Sequence, residues 1–274
     1  MKRRGLLGGT LALFATRSPA VAPRSSGPAR GTVLPVGGGT TSAAVIEVAQ
    51  RHAGGRDARW IVIPSAQSDR ELEAPKVPDF VRDTARFSLL HTRDRAVADS
   101  EAFVAPLQEA TAVWIDGGRQ WRLADTFGGT RTEQALKDLL DRDGLIAGSS
   151  AGATIMGSYL VRGSPAGRGI LMAPGHERGF GLLHNVAIDQ HIVVRHRESD
   201  LARVVAAHPG LLGIGIDEGT AILVRGDVFT VVGRSVVAIT DGAPHGGRPY
   251  YTLRQGACFD LASWSVLPPS PLPR

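Results

Sequence analysis

Gly148-Ser149-Ser150-Ala151-Gly152 lies between an apolar run, Gly144–Ala147, and a small-residue run, Ala151–Tyr159. The first reads as a short buried strand and the second as helix-compatible. A strand turning sharply into a helix pushes the central side chain, Ser150, out of the top of a sheet. Small flanking residues are needed where the chain segments approach closely. The amides at the start of the helix would meet an oxyanion with partial positive charge. The pentapeptide alone is a weak motif, and a plain Gly/Ser loop after a strand is its other reading.

The rest of the chain repeats that strand, turn and helix rhythm. Thr32–Val36 is strand-like and opens into Gly37-Gly38-Gly39, and Thr41–Ala53 has helical periodicity. Arg59–Ile63, Ala112–Ile115 and Leu145–Ala147 are further buried strands, alternating with helical patterns. This order predicts an α/β fold, a parallel sheet with helices on both faces. From Gly213 the texture becomes short β-branched runs, at Gly213–Ile216, Ala221–Val224, Val228–Val232 and Val236–Ile239. Turn signals such as Arg225-Gly226-Asp227 separate them. They predict a C-terminal antiparallel β extension. No internal repeat is evident.

Residues 1–30 have their own character. Lys2-Arg3-Arg4, the apolar Leu6–Ala15 and the small residues that follow have the layout of an export signal. Arg3-Arg4-Gly5-Leu6-Leu7 is similar to a twin-arginine signal. Its apolar run is too short to span a bilayer. Thr16–Gly31, rich in Pro, Ser and Arg, reads as a linker. The expected organisation is a signal and linker over 1–30, one α/β domain over 31–265 and a Pro-rich tail over 266–274. The expected location is periplasmic or secreted.

The formal charge of +5 comes from that N-terminus: six basic residues and no acid fall within residues 1–30, and the remainder has 25 bases against 26 acids. Charge therefore gives no case for nucleic acid. A single cysteine, Cys258, excludes an intrachain disulfide and any zinc site with several thiolates. No metal or cofactor is expected.

Ser150 needs a base. Of the eight histidines, His191 stands out because Asp189-Gln190-His191 follows an apolar run, where strand ends of open α/β sheets collect active-site groups. A surface loop histidine is the alternative. Arg195 and Arg197 just beyond it suit bidentate binding of carboxylates, or else mark a solvated helix face. Asp116-Gly117-Gly118-Arg119-Gln120 follows another strand. Its glycines would let backbone amides approach a ligand and Gln120 could read a substrate amide; a tight turn explains it equally well.

Five segments in order resemble the cyanophycinase family of serine peptidases, relatives of the aspartyl dipeptidases. They are Leu34–Gly39 (LPVGGG), Asp116–Gln120 (DGGRQ), Ala147–Ala153 (AGSSAGA), Asp189–Arg197 (DQHIVVRHR) and Gly213–Ala221 (GIGIDEGTA). Tyr251–Leu261 is also similar to that family's closing strands, so the likeness runs from about residue 32 to 262. It implies a class I glutamine-amidotransferase-like fold and a peptidase acting beside aspartate, on β-linked aspartyl-arginine units or N-terminal aspartyl dipeptides. Ser150 matches the nucleophile and His191 the base. Gly118 and Ala151 match the oxyanion donors. Gln120, Asp189, Arg195, Arg197, Glu218 and Thr220 match residues around the substrate. The implied partner is a small aspartyl peptide, with a homodimer left open and no membrane span.

Two departures stand out. The family's third triad residue is expected near Arg162–Arg168, where no acid occurs; Glu177 is then the expected orienter of His191, provided its loop folds back. Asp200 stands where the family often carries arginine, which points to a specificity other than cyanophycin or to an inactive relative. The missing acid keeps open a second reading, a catalytically impaired relative that binds acidic peptides or amino acids. An α/β-hydrolase esterase, with His245 after Asp241 as its base, is a third reading.

Overall fold

The structure is a computed structural model describing residues 25–84 and 86–268. Residues 1–24, which hold the expected export signal and the first part of the expected linker, and most of the Pro-rich tail lie outside these residues.

Among the described residues, fourteen strands form two sheets. They are β1 (Thr32–Val36), β2 (Trp60–Ile63), β3 (Phe87–Leu89), β4 (Ala112–Ile115), β5 (Leu145–Ser149), β6 (Gly157–Tyr159) and β7 (Leu183–Gln190). There follow β8 (Leu212–Ile216), β9 (Thr220–Arg225), β10 (Val228–Gly233), β11 (Val236–Thr240), β12 (Tyr251–Arg254), β13 (Cys258–Asp260) and β14 (Ser265–Leu267). The larger sheet has the order β14-β13-β10-β9-β1-β5-β4-β2-β3. Its block β1-β5-β4-β2-β3 is parallel, and β9, β10, β13 and β14 add antiparallel strands. The smaller sheet has the order β12-β11-β8-β7-β6, with β6, β7 and β8 parallel.

Alternation along the central strands decides the layers. Val33, Ile61, Ile63, Val113, Ile115 and Ile146 face one core, which also takes in Val186, Ile188, Ile214 and Ile216 of the smaller sheet. Leu34, Val36, Val62, Trp114 and Ala147 face the opposite way, onto Val45, Val48 and Ala49 of the helix Ala43–His52. Both faces of β1, β2, β4 and β5 are buried, so these strands read as apolar runs, whereas the edge strand β3 is exposed. The outer face of the smaller sheet is covered by the helix Leu201–Ala207 through Leu201 and Val204.

The expected antiparallel strands at the C-terminus are present, divided between the two sheets, and two details differ from expectation. β9 and β10 extend the larger sheet, whereas β8 runs parallel to β7 in the smaller one and β11 pairs antiparallel beside β8. The stretch after Ser150 is helical only over Ala151–Thr154, and Gly157–Tyr159 is a strand.

The end of the segment read as a linker is tied to the domain. The amides of Ser26 and Gly27 donate to Asp227 Oδ1 at 2.7 and 3.0 Å, as does the Ser25 hydroxyl at 3.0 Å. Ser26, Gly27 and Pro28 are buried. Burial pushes the Asp227 carboxyl up, but these donors outweigh it and hold the group below its ordinary value. Its stabilising effect is therefore complete above the unfolded carboxyl's pKa of about 3.9 and fades as pH falls through the lower folded value. Asp227→Ala is expected to lower stability by about 1 kcal/mol at pH 7 and to open residues 25–31 to protease. Equal cleavage rates in the two proteins would refute the tie.

Candidate active site

The site forms where the C-terminal ends of both parallel blocks meet. From the larger sheet come Gly37–Gly39 after β1, Asp116–Arg119 after β4 and Ser150 after β5. From the smaller sheet come His191 after β7 and Asp217-Glu218 after β8. This is the edge at which open α/β sheets bind ligands. Backbone hydrogen bonds join the two groups, His191 N to Gly37 O at 3.0 Å and Gly219 N to Gly38 O at 3.0 Å, while Gly37 N donates to Thr220 O of β9 at 2.9 Å.

Ser150 has φ 55° and ψ −110°, a strained conformation for a residue with a side chain. Its amide donates to Val36 O at 2.9 Å, which anchors the turn to β1. The half-buried hydroxyl donates to Nε2 of His191 at 2.9 Å. On the other side of the ring, Nδ1–H donates to Oε1 of Glu218 at 2.6 Å. A carboxylate can only accept, so Nδ1 carries the proton and Nε2 presents its lone pair to the serine. His191 is itself left-handed, with φ 56°. The turn after it is pinned by Asp217, whose Oδ1 accepts from the Val193 amide at 3.0 Å and whose Oδ2 accepts from the Ser235 hydroxyl at 2.6 Å.

Burial holds the His191 imidazole below its ordinary pKa. The hydrogen bond to Glu218 opposes that shift, and the fields of Arg195 and Arg197 add to it. At neutral pH the ring is uncharged and able to take a proton.

Two glycines make room for this relay. At Gly38, φ 110°, a Cβ would overlap the His191 ring; at Gly39, φ 65°, it would overlap the Glu218 carboxylate. On the opposite side, a Cβ at Gly117 would lie 3.3 Å from Cβ of Ser150, so the strand-end turn after β4 borders the hydroxyl. Gly118, φ 142°, is packed against the Ala66 carbonyl. Ala151, the first residue of its helix, carries an amide with no acceptor within the helix.

Several residues have duties other than those expected. Glu177 does not reach His191: its Oε1 accepts from the Tyr159 hydroxyl at 2.6 Å. The acid on the imidazole is Glu218, expected only as a pocket border. Thr220 is fully buried, and its hydroxyl oxygen accepts from the Ser235 amide at 2.8 Å. Gln120 is buried, its side-chain amide donating to Val161 O at 2.9 Å rather than facing a ligand. Asp189 is fully buried and accepts from Nε and Nη2 of Arg162, the latter at 3.0 Å. Arg162 also contacts Asp200, so the carboxylate that departs from the family pattern is engaged inside the protein. Arg197 lies 3.7 Å from Asp189 with its side chain only 12% exposed, whereas Arg195 is exposed. His245 pairs with Asp241 at 2.9 Å beyond β11. Thr240 of that strand pairs with Gly213 at the start of β8, the end remote from Glu218, which removes the esterase reading.

Sequence reasoning missed Arg162, Asp217 and the role of Glu218. The segment Arg162–Arg168, where the resemblance implies an acid, contributes a cation. Arg162 has φ 55° and is nearly inaccessible, and without it the buried Asp189 would lose its hydrogen-bonded cation and keep only Arg197 at 3.7 Å.

Among the described residues no cluster of three His, Cys, Asp or Glu side chains could hold a metal ion, and no helix is long and apolar enough to cross a membrane.

The sequence model of Peptidase family S51 matches residues 34–232. The chain belongs to this peptidase family. It is 30% identical to the cyanophycinase of Geminocystis herdmanii over 221 residues, which cover 78% of this chain and 81% of that protein. It is 31% identical to the cyanophycinase of Synechococcus elongatus over 224 residues, covering 77% and 68%. The crystal structure of a peptidase from an acI-B1 Actinobacterium superposes with a TM-score of 0.65 at 26% identity, covering 86% of this chain and 98% of that one. A putative peptidase E protein from Listeria monocytogenes EGD-e shares the fold, with a TM-score of 0.51 at 12% identity and 76% and 100% coverage.

The glycine that borders the imidazole offers a direct check on this geometry. Gly38→Ala is expected to displace the His191 ring and lower any Ser150-dependent activity by about 100-fold, since misplacement by about 1 Å can cost that much. Activity within threefold of wild type would show that the ring does not need that space.

Proposed function

We propose that this family S51 chain is a serine peptidase that hydrolyses small aspartyl or β-aspartyl peptides through an acyl-enzyme on Ser150. The observation that carries the reading is the continuous relay from the Ser150 hydroxyl through both nitrogens of His191 to Glu218. As Oγ bonds to the amide carbon, its proton passes to Nε2 of His191, and the carbonyl electrons move onto oxygen. Amides in the neighbourhood of Ala151 and Gly118 receive that oxyanion. The C–N bond then breaks as Nε2–H protonates the leaving amine. Water, deprotonated by the same nitrogen, attacks the acyl-enzyme and regenerates Ser150. Glu218 keeps the ring in the reactive tautomer and stabilises the imidazolium. Arg195, exposed beside this relay, suits a substrate carboxylate, with Arg197 behind it.

The names of the cyanophycinase relatives and the family match support hydrolysis of an aspartyl peptide. The alternative, an impaired relative that only binds acidic peptides, was motivated by a missing triad acid; Glu218 on Nδ1 takes that motive away.

A fluorophosphonate is expected to label Ser150, and Glu218→Gln to reduce both labelling and turnover of aspartyl dipeptides by about 100-fold or more. Glu177→Gln is expected to stay within about threefold. Because the base must be neutral and its pKa is depressed, the acid limb of kcat/KM should fall below about pH 6.5. No labelling at any pH, or equal effects of the two glutamine variants, would overturn the mechanism. We also propose that the protein acts outside the cytoplasm, on the strength of Lys2-Arg3-Arg4 and the apolar run Leu6–Ala15 that follows it. Replacing Arg3 and Arg4 by lysine is expected to retain it in the cytoplasmic fraction, and unchanged fractionation would argue against the twin-arginine route.

A further inference from the structure

Five guanidinium groups gather around the relay, and only some of them have carboxylate partners. Arg162 and Arg197 are engaged with Asp189, and Arg162 also with Asp200. Arg119, Arg168 and Arg195 form no ion pair with any carboxylate among the described residues. Their positions are fixed through the backbone instead. Arg119 follows the glycine pair that borders Ser150, and its Nη2 donates to Ser164 O at 3.0 Å. Its Nε is buried without an acceptor. Ser164 and Arg168 belong to one loop, and Arg162 Nη1 donates to the Arg168 carbonyl at 3.2 Å, holding that loop against the site. Arg195 lies on the turn begun by His191, its amide donating to His191 O at 3.0 Å.

These cations feel one another. After burial, the charges that most disfavour protonation are those of Arg122 and Arg168 at Arg119, and that of Arg168 at Arg195. Unpaired like charges beside an accessible nucleophile are costly in the empty protein, and an anion bound between them relieves that cost. Arg195 already suits one substrate carboxylate. Arg119 and Arg168 supply a second positive locus, half-exposed and exposed respectively, whereas Arg162 is taken up by the carboxylates of Asp189 and Asp200.

We propose that Arg119 and Arg168 form a subsite for a second acidic group, so that this chain selects peptides in which the aspartyl unit is joined to another acidic residue and rejects those joined to arginine. The inference rests on the peptidase reading for the location of the substrate. It differs from that reading in what it says of the neighbouring residue. Two guanidinium groups disfavour a third brought in by substrate, whereas a carboxylate gains charge-assisted hydrogen bonds.

Binding to the Ser150→Ala protein tests this without turnover. Calorimetric dissociation constants would be measured for the dipeptides Asp-Glu, its neutral isostere Asp-Gln, and Asp-Arg, at low and physiological salt. Asp-Glu is expected to bind about tenfold or more tightly than Asp-Gln, with Asp-Arg weakest, a ratio set by one charge-assisted hydrogen-bonded contact. In Arg119→Gln/Arg168→Gln the Asp-Glu to Asp-Gln ratio should shrink to within about twofold. The exposed Arg168→Gln alone serves should the double variant fold poorly, and should reduce the ratio by about threefold. Equal affinities for Asp-Glu and Asp-Gln, tightest binding of Asp-Arg, no detectable binding of any of the three, or a ratio that survives the substitutions would overturn the subsite. Fluorophosphonate labelling of the wild-type chain keeps the two readings apart. Labelling without a charge preference removes only the subsite, and a preference without labelling or turnover removes only the hydrolysis.

Discussion

Everything at the site depends on how closely the end of β1 approaches the two loops of the smaller sheet. Gly38 lies against the imidazole and Gly39 against the Glu218 carboxylate, at distances that no side chain at either position would allow. The same segment exchanges backbone hydrogen bonds with His191, Gly219 and Thr220. These contacts bring an imidazole from one sheet to a hydroxyl from the other. The larger sheet supplies a strained, half-exposed serine, and the smaller sheet supplies the imidazole hydrogen-bonded to it and the carboxylate on the ring's other nitrogen. Neither sheet carries a functional relay by itself.

Charge is arranged as tightly as shape. Asp189 is wholly buried two residues before His191, and Arg162 and Arg197 compensate it. Asp217 fixes the backbone just after His191 through an amide and a hydroxyl donor. The imidazole is thus bracketed by two anchored carboxylates while a third, Glu218, touches it. This explains how a ring with a left-handed backbone is held in one orientation.

Much of the architecture was legible in the sequence. The run Thr32–Val36 is β1, and Ala112–Ile115 is β4, because both faces of these strands are buried and their apolar character is unbroken. The short β-branched runs after Gly213 are strands as well. Their division between two sheets was not legible, since strand pairing is decided by non-local packing. β7 was hard to read because Leu183-His184-Asn185 opens it with polar residues, two of them not buried. Ser150 and His191 were legible from their turns. Glu218 was legible only as a border of the pocket, because the resemblance implies a triad acid between the nucleophile and the base. An acid next to a buried strand end after the histidine was the available signal. Arg162 gave no sequence signal, as neither its left-handed backbone nor its buried carboxylate partner leaves a pattern in a single chain.

The relay spans a seam between two bodies of secondary structure, so its integrity reports on their docking rather than on either body. A modest separation along β1 would break the serine–imidazole contact while leaving nearly all helix and strand intact. The serine–imidazole contact is then a more sensitive gauge of cohesion across that boundary than any spectroscopic measure of folded content.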